Sequence, residues 1–150
     1  MSARIVLVAA VLLGALIGDA YADCSVSVGS LSFGAYDVFD ASPTDSTGTI
    51  SYMCGPRDKD IRITISTGSS GTYATRELRN GPERLAYNLY RDGAFTQVWG
   101  DGSGGTSFFF IKNPQPNNVW LDLTVFARLP PGQDVAAGTY SDTVIVTVEY

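Results

Sequence analysis

Ile61-Arg62-Ile63-Thr64-Ile65-Ser66 decides the fold: isoleucine recurs at every second position with a polar residue between. That is the period of a strand with one buried face and one wet face, and a row of β-branched residues favours extended backbone. The same period runs through Thr49-Ile50-Ser51-Tyr52-Met53-Cys54 and through Cys24-Ser25-Val26-Ser27-Val28. In both, the cysteine falls on the apolar side. Further on, Leu85, Tyr87 and Leu89 face one way and Ala86, Asn88 and Tyr90 the other. Val144, Val146, Val148 and Tyr150 share one face of residues 143–150.

Turn chemistry separates these runs. Residues 67–71 and 101–105 are rich in Gly and Ser, and residues 129–138 carry Pro130, Pro131 and two glycines. Asp92-Gly93 is a strong hairpin signal, because Gly accepts positive φ, and it predicts a returning strand over residues 95–99. Residues 120–127 read as a long strand. Phe108-Phe109-Phe110-Ile111 is a short continuous apolar run, expected as a buried strand rather than an exposed tip. No segment carries a helical stripe. About seven short strands at such spacing argue for a β-sandwich.

The first residues read differently. Arg4 precedes an apolar run over residues 5–17, and Ala20-Tyr21-Ala22 has the small–x–small pattern of a signal-peptidase site. The run is shorter than the ~20 residues of a permanent membrane helix. The expectation is a signal peptide over residues 1–22 and one exported domain over residues 23–150, without a membrane span after cleavage. Two cysteines in an exported chain are most simply one disulfide, Cys24 with Cys54, formed in an oxidising compartment.

Composition narrows the chemistry. The chain has no histidine, which removes Ser-His and Cys-His nucleophilic arrangements and the commonest metal ligand. No spacing brings two carboxylates together as a glycosidase needs. A net charge of −5 with scattered arginines offers no footprint for nucleic acid. Asp37, Asp40 and Asp45 share a polar loop, but their spacing is not that of a calcium loop, and a solvated acidic loop is the expectation. Residues 100–105 lack the Lys-Ser/Thr and following helix of a phosphate loop. No catalytic residue, metal site or cofactor is assigned.

Several stretches together carry a family resemblance. They are Cys24 followed by Leu31-Ser32-Phe33-Gly34-Ala35-Tyr36-Asp37, Gly48-Thr49-Ile50-Ser51-Tyr52-Met53-Cys54, and Leu85-Ala86-Tyr87-Asn88-Leu89-Tyr90-Arg91-Asp92. Phe126-Ala127-Arg128-Leu129-Pro130-Pro131-Gly132-Gln133 and Gly138-Thr139-Tyr140-Ser141-Asp142-Thr143-Val144-Ile145-Val146-Thr147-Val148 complete the set. On these the chain resembles the spore coat protein U domain family, the subunits of archaic Csu-type chaperone–usher pili.

The resemblance implies an incomplete immunoglobulin-like β-sandwich lacking its final strand. It also implies partners: a periplasmic chaperone that lends a strand, an outer-membrane usher, and a neighbouring subunit that replaces the chaperone's strand by β-strand addition. The acceptor groove is expected between the first and last strands, with Val26 and Val28 on one side and Val144, Val146, Val148 and Tyr150 on the other. Polymerising subunits carry a donor segment ahead of their first strand, whereas here Asp23 alone stands between the expected cleavage point and Cys24. The expectation is therefore a surface pilus subunit that accepts a strand and gives none, at the tip or another terminal place. A coat protein that forms no fibre is the alternative, and a secreted carbohydrate-binding module or hydrolase a more distant one.

Overall fold

The computed structural model describes residues 2–11 and 24–150. The expected cleavage motif Ala20-Tyr21-Ala22 and Asp23 lie outside the described residues. Among the described residues, the regular structure is all β apart from a single 3-10 turn at Gly68–Ser70. The strands are β1 (Ser2–Val11), β2 (Ser25–Val28), β3 (Leu31–Ala35), β4 (Thr44–Met53), β5 (Ile61–Ile65), β6 (Arg76–Asn80), β7 (Glu83–Tyr90), β8 (Phe109–Ile111), β9 (Leu121–Leu129) and β10 (Thr139–Glu149). No helix among the described residues is long and apolar enough to cross a membrane.

The strands form one sheet curled into two layers, in the order β2-β4-β9-β7-β6-β10-β1-β3, with β5 paired to β10 and β8 paired to β5. β7 turns the corner: Glu83 to Tyr87 pair with β6, and Asn88 to Tyr90 pair with β9. The core between the layers is built from the alternating residues that the sequence singles out. Ile61, Ile63, Ile65, Leu85, Leu89, Val144, Val146 and Val148 are all fully buried. Cys24 and Cys54 form the disulfide, joining the strand pair β2–β4 at its end.

Three elements depart from the sequence reading. Residues 95–99 return antiparallel beside the end of β7 but make only an isolated bridge, Tyr90 with Val98, with the amides of Arg91 and Trp99 donating to the carbonyls of Gln97 and Leu89, and no regular strand. The Asp92 carboxylate accepts the amides of Thr96 and Gln97 and the Thr96 hydroxyl, which closes the connection into a compact loop. These bonds favour the ionised form and hold the Asp92 pKa below the usual carboxylate range. Phe95, at φ 57, seals the loop edge-on against Tyr90 and Phe126, beneath the Arg128 guanidinium. The Phe108 run does contain a strand, but β8 lies at a sheet edge, and Phe110 is 55% exposed.

β6 is the third departure. Arg76-Glu77-Leu78-Arg79-Asn80 has one apolar residue in five, so its sequence shows no strand pattern. It is strand because it pairs with β7 across a tight turn containing Gly81, φ 56. Its first residue anchors the core. Arg76 is fully buried, and its guanidinium donates to the carbonyls of Ser66 (2.8 Å) and Trp99 (2.7 Å) and to Asn88 Oδ1 (2.6 Å). Asn88 in turn donates to the Tyr73 carbonyl, and the Trp99 indole donates to the carbonyl of Ile63. One side chain thus satisfies loop carbonyls that no ladder reaches, and burial depresses its pKa.

Arg76→Met keeps the bulk and strands those carbonyls, each unpaired group costing about 1–3 kcal/mol. Urea unfolding of the oxidised protein should show a loss of at least about 3 kcal/mol, and a loss under about 1 kcal/mol would mean that water replaces the guanidinium freely. Cys54→Ser should cost about 2–5 kcal/mol in the same assay.

Candidate functional site

β10 is the strand around which a site can be built. Its residues alternate strictly: Tyr140, Asp142, Val144, Val146 and Val148 are buried, and Thr139, Ser141, Thr143 and Ile145 are exposed. One backbone edge is served by β5, from Val146↔Ile65 to Glu149↔Arg62, and by β6 at Ser141↔Arg79. On the other edge lies β1, running parallel to β10 in an unbroken register from Ser2↔Thr139 to Val11↔Val148.

The far wall of this slot is β3. It pairs antiparallel with β1 from Ser2↔Ala35 to Ile5↔Leu31, with a register shift between Ala3 and Arg4. Gly34, at φ +73, supplies the local conformation that an L side chain rarely adopts. Leu31 and Phe33 point into the core, with Phe33 edge-on to Tyr87 at 6.1 Å. The Ser32 hydroxyl donates to the Ala3 carbonyl at 3.3 Å. Ala3 itself is 1% exposed, which places its side chain inside the sandwich, whereas Arg4 is exposed.

Val144, Val146 and Val148 are buried on the inner face of β10 where it pairs with β1, and Tyr150 lies half-buried just beyond them. Val26 and Val28 are half-buried against the same core, but the ladder partner of β2 is β4, through Val26↔Tyr52 and Val28↔Ile50. The strand that shares the edge of the slot is β3, next along the chain. Leu31 and Phe33 sit on the strand that pairs with the other edge of β1, and their alternation with Ser32 and Gly34 is visible in the sequence.

The slot has one polar station. Asp142 is 4% exposed, and its carboxylate accepts the Tyr87 hydroxyl at 2.7 Å and the amides of Ser69 and Thr143. Burial first, and then the Asp142 charge, push the Tyr87 phenol well above its ordinary pKa. Any Cβ on Gly68, φ +68, would collide with this carboxylate. Asp142 is thus fully engaged in holding β10, β7 and the 3-10 turn together.

The other residues singled out in the sequence also serve the scaffold. Asp37 and Asp40 each accept an amide two residues on, and Asp45 makes a bidentate pair with Arg128. Tyr36 donates to the Pro130 carbonyl and accepts the Gln133 amide. Gln133 closes two bonds with the Ala86 backbone, in place of a ladder partner.

Comparison with known proteins agrees with this geometry. The family model of the spore coat protein U domain matches residues 15–147. The chain belongs to that family. It is 33% identical over 136 residues to Protein U of Myxococcus xanthus, covering 81% of this chain and 72% of the relative. Among solved structures it is similar to a chain of the CsuC–CsuE chaperone–tip adhesion subunit pre-assembly complex, from the archaic chaperone–usher Csu pili of Acinetobacter baumannii. That match has a TM-score of 0.58 at 22% identity and covers 86% of this chain. This protein spans 40% of the length of the chain it matches there. The likeness establishes the incomplete immunoglobulin-like fold of this spore coat protein U domain. The family match begins at residue 15, so β1, the strand in the slot, lies outside the matched domain.

Neighbouring residues of β10 provide a test of its two faces. Val146→Asp puts a charge where nothing can pair it, and unfolding should show a loss of more than about 4 kcal/mol. Ile145→Asp, on the 44% exposed position beside it, should cost less than about 1 kcal/mol.

Proposed function

We propose that this spore coat protein U domain protein is an exported surface subunit whose sandwich is completed by a strand from another polypeptide. A periplasmic chaperone supplies that strand during transit, an outer-membrane usher receives the complex, and a neighbouring subunit supplies the strand in the assembled pilus. The observation that carries the reading is the slot between β10 and β3. The domain proper, residues 24–150, leaves one ladder edge of β10 and one of β3 to be filled from outside it. Such an edge gives affinity through main-chain bonds, and the buried valines beside it give selectivity for an alternating apolar strand. Left open, it would be an aggregation site.

The role is structural or adhesive and needs no catalytic group. The buried polar residues Arg76, Asn88 and Asp142 are consumed by hydrogen bonds within the scaffold. A second reading, a surface coat without fibres, is favoured by the family description itself.

Periplasmic co-expression with a chaperone of the chaperone–usher class tests the reading. The subunit should co-purify with the chaperone, and its soluble yield should drop several-fold without it. Val146→Asp should abolish the complex. A subunit that is monodisperse alone and ignores both chaperone and donor peptide would sink the strand-accepting reading. Immunogold labelling then separates fibre from coat, and label confined to fibre ends would give the protein the terminal place expected from its sequence.

A further inference from the structure

We propose that Asp58 is an electrostatic guard of the Cys24–Cys54 bond, a buried carboxylate that slows attack on the disulfide by external thiolates. A carboxylate oxygen of Asp58 and the two sulfurs all lie within 4.8 Å of one another. Asp58 is 7% exposed, Cys24 7% and Cys54 3%, so little water is present to screen a charge among them. The carboxylate is fixed there by its own turn. The Asp58 amide donates to the Gly55 carbonyl, and Asp58 Oδ2 accepts the Gly55 amide at 2.7 Å. The Asn118 amide donates to the Cys54 carbonyl, which anchors the Cys54 side of the bond to the loop before β9. Cys24 is held more lightly, because β2 ends its sheet and pairs with β4 alone. Fraying at that end uncovers the Cys24 sulfur and leaves Cys54 beside Asp58.

Thiol–disulfide exchange moves negative charge from one sulfur to another. An incoming thiolate R–S⁻ that attacks Cys24 forms the mixed disulfide of R–S with Cys24 and breaks the Cys24–Cys54 bond. The electron pair leaves on the Cys54 sulfur, next to Asp58. Attack on Cys54 instead brings the incoming charge to the same place. A second thiolate then takes R–S from the mixed disulfide, giving R–S–S–R and a second free sulfur, and solvent supplies the two protons. Either route sets a new negative charge against the carboxylate, and like charges at this separation inside a protein repel strongly. The intact disulfide and the protonated dithiol carry no charge and feel little of this. Asp58 therefore acts on the rate of reduction far more than on which form is stable. For the exported subunit proposed above, it keeps the covalent tie of β2 in place when stray thiols are present.

The test follows reduction of the oxidised protein by cysteamine, mercaptoethanol and mercaptoacetate, thiols of different charge, at one thiolate concentration. Acid-quenched samples are weighed by mass spectrometry, with mixed disulfide and dithiol counted together. Each rate is divided by the rate for the urea-unfolded protein, which removes differences in intrinsic nucleophilicity. Asp58→Asn keeps an oxygen for the Gly55 amide and removes the charge. Mercaptoacetate should reduce it roughly 10- to 100-fold faster than the parent protein, with a clearly smaller gain for cysteamine. In the parent the normalised rates should fall from cysteamine to mercaptoacetate, and in Asp58→Asn that spread should narrow. Asp58→Glu, which restores the charge, should bring the spread back. An equal gain with all three thiols would report a loosened turn and overturn the guard. So would a spread that the substitution leaves unchanged, since it would then belong to the chain's net charge of −5. Rates that do not change at all would overturn it as well.

Discussion

The backbone of β10 needs a partner along both edges, and the rest of the molecule is arranged around that need. Its inner face carries the valines that close the core, so the strand cannot retreat to solvent without exposing them. Unpaired amides and carbonyls at such a position would cost more than the valines return, since each buried polar group must find a bond. On one side β5 and β6 share the duty. On the other, the nearest strand of the domain proper is β3, which reaches β10 only through β1. A gap one strand wide is therefore inherent in residues 24–150, and the sandwich is whole only when something extended and apolar fills it.

The remaining stabilising devices work away from the gap, as they must if the domain is to keep its shape while partners change. The disulfide ties β2 to β4 in the opposite layer. Arg76 gathers the carbonyls of Ser66 and Trp99 behind β6. Gln133 and Tyr36 clamp the long loop between β9 and β10 against β7. Asp142 is a buried carboxylate on the inner face of β10, and Tyr87 and Ser69 hold it from within. The inner face of β10 around Val144, Val146 and Val148 is thus a preformed apolar bed.

This arrangement also explains why the spore coat protein U motifs read as they do. Asp92, Arg128, Gln133 and Asp142 all lie in the stretches that carry the resemblance. In the structure each carboxylate, guanidinium or amide is spent on a loop or a strand junction. Polar side chains fixed for this purpose are what a sandwich with long irregular connections requires, because loop backbone that no ladder serves must still be bonded.

By itself the sequence determined the class of fold, the disulfide and most of the core. Two-residue alternation at Ile61 to Ile65, at Ile50 to Cys54 and at Val144 to Val148 needs no partner to be read, because the inward face of a strand is a local property. It could not show β6, since Leu78 is its lone apolar residue and pairing with β7 makes it a strand. Nor could it show that Asp92 would bind local amides and shorten the returning strand to a single bridge at Val98, with Phe95 packed against Tyr90, Phe126 and Arg128. Above all, tertiary structure decided the ladder partners of β2 and β3. Val26 and Val28 alternate as well as Leu31 and Phe33 do, and alternation says which face is buried but not which neighbour shares the ladder. That choice follows from the switch of the chain between layers from β2 to β3, which sends Val26 to β4 and leaves Leu31 beside β1.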